Sequence, residues 1–215
     1  MFHPALSDYL NSLFPVDSPN FSSWMELARQ ENYPVMDQDA LSFLQAFAGI
    51  TRPATILELG CGFGMVSFHL LLATPGSIIT GVDYRADNHQ RFLQLSNGFT
   101  DPNRFRFVAG HAVGFIRDST DTYDWILVDI DKRFYPEILE DCILHLKPGG
   151  FLIADNVLWK GWMWEPETSK NISPILEWNQ KISSDPRLES RIIPIGDGLS
   201  VSRKKSLPED RFNLL

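Results

Sequence analysis

Two short strings in this chain each close a strongly apolar run on oxygen-bearing side chains. V-D-I-D-K sets Asp129 and Lys132 just beyond W-I-L-V, and A-D-N sets Asp155 and Asn156 just beyond F-L-I-A. Carboxylates at the C-terminal edge of buried strands stand where open α/β sheets hold their ligands. Two carboxylates and an amide carbonyl are hard oxygen donors, suited to Mg²⁺ or Ca²⁺ and poor for Zn²⁺. These residue types therefore point to metal-dependent chemistry with a lysine at hand. The plainer alternative is that each Asp forms a turn or caps a helix, and that D-N is an ordinary turn dipeptide.

A second constellation lies upstream. The run T-I-L-E-L leads straight into E-L-G-C-G-F-G, Glu58 to Gly64, after which apolar residues recur at helical spacing. Gly60, Gly62 and Gly64 permit a tight strand-to-helix turn and the close approach of a ligand to backbone and helix N-terminus. A dinucleotide fingerprint, G-x-G-x-x-G, needs a third glycine where this chain has Met65, and Gly64 comes one residue too early. The next apolar run, S-I-I-T-G-V-D, ends at Asp83, where a carboxylate can accept both hydroxyls of a ribose. NAD and S-adenosylmethionine both carry that ribose, so Asp83 alone does not separate them. An ordinary turn is the alternative for the three glycines.

The elements that must position these residues follow from periodicity. Helical spacing covers Pro4 to Phe14, Ser22 to Gln30 and Asp37 to Ala48, an N-terminal layer that serves as a lid or a dimer-forming surface. From Ala54 short apolar runs alternate with amphipathic stretches, which is the pattern of a doubly wound parallel sheet. T-I-L-E-L, S-I-I-T-G-V-D, F-R-F-V-A, W-I-L-V-D and F-L-I-A-D are the first five strands. Helices are expected over Gly64 to Ala73, Ala86 to Asn97, Val113 to Arg117 and Phe134 to Leu146. L-E-S-R-I-I-P-I and L-S-V-S-R, joined through G-D-G, read as a hairpin. The expected architecture is α/β and Rossmann-like: a seven-stranded sheet with its last strand antiparallel, helices on both faces, and the N-terminal helical layer. One domain spans 1–215, with a cap over 1–50, a core over 51–203 and a polar tail over 204–215 that frays.

Composition narrows the function classes. The 215 residues are 44% hydrophobic, enough for one sizeable core. A formal net charge of −8 and a pI near 5.1 argue against wrapping nucleic acid electrostatically. The start, M-F-H-P-A-L-S-D-Y-L, has neither a basic n-region nor a long apolar segment, so a cytoplasmic location without membrane attachment is expected. Cys61 and Cys142 form no C-x-x-C pair, which argues against a disulfide framework or a thiolate metal site, and both are expected to be reduced.

E-L-G-C-G-F-G followed by G-V-D resembles the first two motifs of class I S-adenosylmethionine-dependent methyltransferases. With V-D-I-D-K and D-N-V-L-W the chain further resembles the cation-dependent O-methyltransferases, the family of catechol and caffeoyl-coenzyme A O-methyltransferases and their small bacterial relatives. The likeness covers Tyr33 to Arg203. It implies that Asp129, Asp155 and Asn156 bind Mg²⁺, Ca²⁺ or Mn²⁺ and that Lys132 is the general base. It further implies that S-adenosylmethionine is held by Met36, Glu58, Gly60, Gly62, Gly64, Asp83 and Asp129, with His111 and Ala112 lining the adenine pocket. Y-P-V-M-D at Tyr33 to Asp37 and G-D-G-L at Gly196 to Leu199 also look like those of the bacterial branch. Where the family continues its glycine loop as G-Y-S this chain has G-M-V-S, so a hydroxyl contact to the methionine end of the cofactor is lost or moved to Ser67.

On this reading the cation binds two adjacent hydroxyls of a small catechol-like acceptor, lowers their pKa and orients them. Lys132 takes the proton, a role that requires surroundings favouring the neutral amine. A surface lysine opening the next helix is the alternative. Trp159, Trp162 and Trp164 offer flat aromatic walls. Trp159 is the substrate candidate among them, and burial in a dimer interface or under the N-terminal helices is the alternative. A homodimer is the expected assembly. Transfer RNA bearing a hydroxylated uridine is a second acceptor class, disfavoured by the acidic pI. An NAD-dependent oxidoreductase is a third reading, disfavoured by Met65, and a cofactor-holding module without chemistry is a fourth.

Overall fold

The computed structural model describes residues 9, 12–13, 20–98, 100–159 and 171–206. Of the expected helix over Pro4 to Phe14, Tyr9, Ser12 and Leu13 are helical and the rest lies outside the described residues, as do Trp162, Trp164 and the end of the tail.

Two helices, α1 (Phe21–Gln30) and α2 (Gln38–Thr51), precede the sheet. The core then alternates: β1 (Thr55–Leu59), α3 (Met65–Ala73), β2 (Ile78–Asp83), α4 (Asn88–Ser96), β3 (Phe105–Ala109), α5 (Ala112–Asp118) and β4 (Tyr123–Val128). A 3₁₀ turn (Lys132–Phe134) leads into α6 (Tyr135–His145), followed by β5 (Leu146–Ala154), α7 (Ser173–Ser184), β6 (Leu188–Ile193) and β7 (Leu199–Lys204).

The strands form one seven-stranded sheet in the order β3-β2-β1-β4-β5-β7-β6. β7 alone runs antiparallel, slotted between β5 and β6. The chain winds outward from β1 to β3, then returns to lay β4 on the other side of β1, so the sheet reverses direction between β1 and β4. At that reversal the loops beyond the strand ends diverge and leave a crevice.

Both faces of the sheet are covered, as the near-continuous burial along β1, β2 and β4 requires. Ile56, Trp125, Leu127 and Ile153 pack with Trp24, Leu44, Phe68 and Phe92 from α1 to α4. Leu57, Ile126, Val128 and Leu152 pack with Ile116, Ile138, Cys142 and Trp178 from α5 to α7. Met65 to Leu71 of α3 are all buried, because the N-terminal layer covers the side of α3 that would otherwise meet water. One helix was not assigned from sequence. α7 buries Ile175, Trp178 and Ile182, an i, i+3, i+7 pattern, and carries proline in its first turn, where proline is tolerated. Helix α6 starts one residue later than expected because Lys132–Phe134 wind as a 3₁₀ turn, with the Asp131 side chain accepting from the Arg133 amide. Among the described residues no helix is long and apolar enough to cross a membrane.

Candidate active site

The crevice opens into a cavity of about 890 Å³ above the C-terminal ends of β1, β2, β4 and β5. The same fold logic that places the crevice decides who meets there. Val128 and Ala154 are register partners on adjacent parallel strands, so Asp129 and Asp155 are the next residues out on each. Asp155 N donates to Val128 O (3.1 Å) and Asp129 N donates to Leu59 O (2.9 Å), which seats the two carboxylate residues beside the end of β1. Below them the Tyr135 hydroxyl shares its proton between the carbonyls of Val128 (3.1 Å) and Asp155 (2.9 Å), stapling the two strand ends together.

Lys132 reaches back one 3₁₀ turn and donates from Nζ to Asp129 Oδ1 at 2.8 Å, with its ammonium 5.4 Å from the centre of the Tyr135 ring. Asn156 stands in the left-handed region at φ 60°, a conformation Asn tolerates better than most residues. Its backbone N donates to Asp155 Oδ1 (2.7 Å), and its side-chain Nδ2 donates to Asp197 Oδ2 (3.2 Å). The amide nitrogen is therefore engaged, which leaves the carbonyl oxygen for a ligand. Burial first, and then the charge of Asp129, hold the Asp155 carboxyl well above the usual carboxylate range. A buried carboxylate, Asp155, a partly exposed one, Asp129, and the amide oxygen of Asn156 are a donor set that a hard divalent cation fits. Among the described residues no group of three or more His, Cys, Asp or Glu forms a metal cluster, so such a site would depend on the amide.

The glycine loop lies next to Asp129, at the end of the adjacent strand β1. Gly60 and Gly62 have φ of 88° and 54°. A Cβ at Gly60 would overlap the Asp129 carbonyl, and one at Gly62 would come within 2.9 Å of the Tyr33 ring. Asp83 Oδ2 accepts from Gly62 N (3.1 Å), while its Oδ1 accepts from Arg85 N (2.9 Å) and Asn88 Nδ2 (3.0 Å). A carboxylate offers about four acceptor positions, so three are occupied and about one remains for a ligand hydroxyl. Asp83 thus ties the glycine loop to β2 as well as facing the cavity.

Of the residues singled out from sequence, Met36, Gly60, Gly62, Asp83, His111, Ala112, Asp129, Lys132, Asp155, Asn156 and Trp159 line the cavity. Glu58, Gly64 and Ser67 stand behind that lining. The Ser67 hydroxyl donates to Glu58 in a short hydrogen bond, and burial pushes the Glu58 carboxyl up to about 8. Gly64 is the left-handed cap of α3, pressed against Phe92. His111 precedes α5 and meets the edge of Phe134 at 5.2 Å.

Several lining residues carried no role in the sequence reading. Tyr33 covers the glycine loop from the N-terminal layer, its ring tilted 58° against Phe63 with centres 4.9 Å apart; burial and the Asp83 charge push its hydroxyl up to about 12. Tyr84, Asp131 and Arg133 are also in the wall. Asp197 stood in the sequence within a G-D-G turn signal and the G-D-G-L string that looks like the bacterial branch, and nothing local in either reveals that its side chain reaches Asn156.

A family model described as O-methyltransferase matches residues 19–205. The chain is 24% identical over 212 residues to caffeoyl-CoA O-methyltransferase 1 of Arabidopsis thaliana, covering 91% of this chain and 82% of that protein. It superposes on the O-methyltransferase from Bacillus cereus solved with S-adenosylhomocysteine with a TM-score of 0.82 at 19% identity, covering 94% and 97% of the two chains. An O-methyltransferase of tomaymycin synthesis from Streptomyces achromogenes, solved with S-adenosylmethionine, also gives 0.82, at 17% identity over 94% and 96%. At these identities the structural likeness establishes a shared fold.

Proposed function

The chain belongs to the O-methyltransferase family, and from that premise we propose that it moves a methyl group from S-adenosylmethionine to one hydroxyl of a small catechol-like acceptor with the help of a divalent cation. When bound, S-adenosylmethionine supplies an electrophilic methyl carbon on a positively charged sulfur, and a Mg²⁺, Ca²⁺ or Mn²⁺ ion supplies Lewis-acid polarisation and orientation of the acceptor oxygens. Asp129, Asp155 and Asn156 are the residues to hold that ion. Asp83 holds a ribose hydroxyl, Gly60 and Gly62 let the cofactor lie against backbone, and His111 with Ala112 borders the adenine. Lys132, as the neutral amine, would receive the acceptor's proton at Nζ and hold it as the ammonium paired with Asp129. Trp159 offers a flat wall to an aromatic ring.

The observation that carries this reading is that Asp129, Asp155, Asn156 and Lys132 line one cavity together with Asp83 and the glycine loop. The charge of the wall supports a small acceptor over transfer RNA. Its described carboxylates are Asp37, Asp83, Asp129, Asp131, Asp155 and Asp197, and its two strong cations, Lys132 and Arg133, are each paired with an aspartate at 2.8 Å. A polyanion needs unpaired cations along its path. A homodimer built through the N-terminal layer and a cytoplasmic location belong to the same proposal, the first checked by light scattering. Incubation with S-adenosylmethionine and simple catechols should give methyl ethers with Mg²⁺ and none in excess chelator. Equal turnover in chelator would end the role of the cation, and no turnover of any catechol would end the acceptor assignment.

A further inference from the structure

The turn between β6 and β7 is bound to the loop after β5 more closely than a surface connection requires. Val157 N donates to Gly198 O (3.0 Å) and Leu158 N donates to Asp197 O (2.9 Å). A Cβ at Gly198 would fall 2.5 Å from Leu158 Cγ and 2.8 Å from Leu158 N, so only glycine lets the two segments touch there, and its φ of 91° suits no other residue. Gly196, at φ 52°, makes the opposite shoulder of the turn. Between the two glycines Asp197 projects to the Asn156 amide, its Oδ2 accepting from Nδ2 at 3.2 Å.

These contacts answer a problem that the Asp155–Asn156 pair leaves open. The backbone of Asn156 is set by its left-handed conformation, but the last torsion of an asparagine side chain is broad and nearly two-fold, so either the oxygen or the NH₂ can point to a given side. A cation accepts the oxygen and is repelled by the NH₂. A carboxylate on one side accepts only from the nitrogen and so turns the oxygen away from itself.

We propose that Asp197 is the positioning residue of the candidate cation site: by holding the Asn156 amide through its nitrogen, it presents the carbonyl oxygen as the third ligand beside Asp129 and Asp155. This inference rests on the cation reading above and adds to it a residue from a turn 41 positions further along the chain. Partners that orient a ligating side chain typically change metal affinity by 10–100-fold when removed.

The test is Mn²⁺ binding to the full chain, followed by electron paramagnetic resonance of the free ion, with S-adenosylhomocysteine binding by calorimetry as the parallel measurement. Asp197→Ala should weaken Mn²⁺ binding about 10–100-fold while S-adenosylhomocysteine affinity stays within about twofold. Asp197→Asn, which keeps an acceptor oxygen, should stay within about threefold of the wild type. Equal, large losses in both variants would make the Asp197 charge itself the ligand and overturn the positioning role. Unchanged affinity in Asp197→Ala would reduce Asp197 to a turn residue. A wild type that binds no Mn²⁺ sinks the cation reading and this inference with it. Should Asp197→Ala fail to fold, nuclear magnetic resonance of the wild type decides. The Asn156 side-chain amide protons, assigned by their absence in Asn156→Asp, should exchange slowly with solvent and shift in Asp197→Asn, and fast exchange would overturn the proposal.

Discussion

Lys132 is held from two sides, by the Asp129 carboxylate at 2.8 Å and by the face of Tyr135 at 5.4 Å. So tethered, its nitrogen can reach only what lies beside Asp129, and under the proposed function it is the neutral amine at that position that takes the acceptor's proton. Lys132→Ala is expected to lower kcat about 10²–10⁴-fold, with S-adenosylhomocysteine affinity within about twofold of wild type by calorimetry. Unchanged turnover would return Lys132 to the surface lysine that sequence alone also allowed. Most side chains at this scale were legible because their types and order are informative: Asp129, Lys132, Asp155 and Asn156 stand next to apolar runs that had to be strands. Asp197 and Tyr135 were not. A tyrosine in an amphipathic helix reads as packing, and its bonds to the Val128 and Asp155 carbonyls exist only once α6 lies under β4 and β5.

At the scale of the element, the turn from β1 into α3 carries the most stringent demands on sequence. Gly64 caps α3 in the left-handed region at φ 84°, and a Cβ there would lie 2.5 Å from Phe92 Cδ2 on α4. Because Gly64 stands behind the cavity wall, its substitution tests the fold apart from the chemistry. Gly64→Ala is expected to cost about 1–3 kcal/mol of stability, read as a fall in the urea midpoint, from backbone strain and the displaced ring together. A midpoint equal to wild type would show that the loop relaxes without cost. The glycine spacing that spoke against a dinucleotide fingerprint thus has a local cause: the third glycine serves the helix cap and its neighbour. Helix α7 shows the reverse case. Its three apolar anchors were present, but Trp178 and Ile182 become a buried face only against β5, β7 and α6, which lie far off in sequence.

Taken whole, the molecule buries groups whose charged forms oppose folding, one toward alkaline pH and one toward acid. Burial holds the Glu58 carboxyl up at about 8 in the fold, against 4.5 as the ordinary value, so the folded state binds the extra proton. Stability from this group is complete below about 4.5 and is lost as pH rises through about 8. His69 works in the other direction. Its Nδ1 donates to Met65 O (2.7 Å), its Nε2 is buried without a partner, and burial lowers its pKa. Its contribution is present above the ordinary value of 6.5 and is lost as pH falls below it. Glu58→Gln is expected to flatten only the alkaline side: its unfolding free energy relative to wild type should rise between about pH 5 and about pH 9. A constant difference across that window would show that Glu58 titrates alike in folded and unfolded chains. By itself, the sequence determined the alternation of strand and helix, the two-faced burial of the sheet, the antiparallel last strand and the residues at the strand ends, because these depend on local periodicity and on types of side chain. Tertiary structure alone decided which of those residues share a cavity, that Asp83 spends most of its acceptor capacity on Gly62, Arg85 and Asn88, and that Asp197 reaches Asn156. Such contacts join segments tens of residues apart, and the energy that selects them comes from closing the sheet around one crevice, which no window of sequence contains.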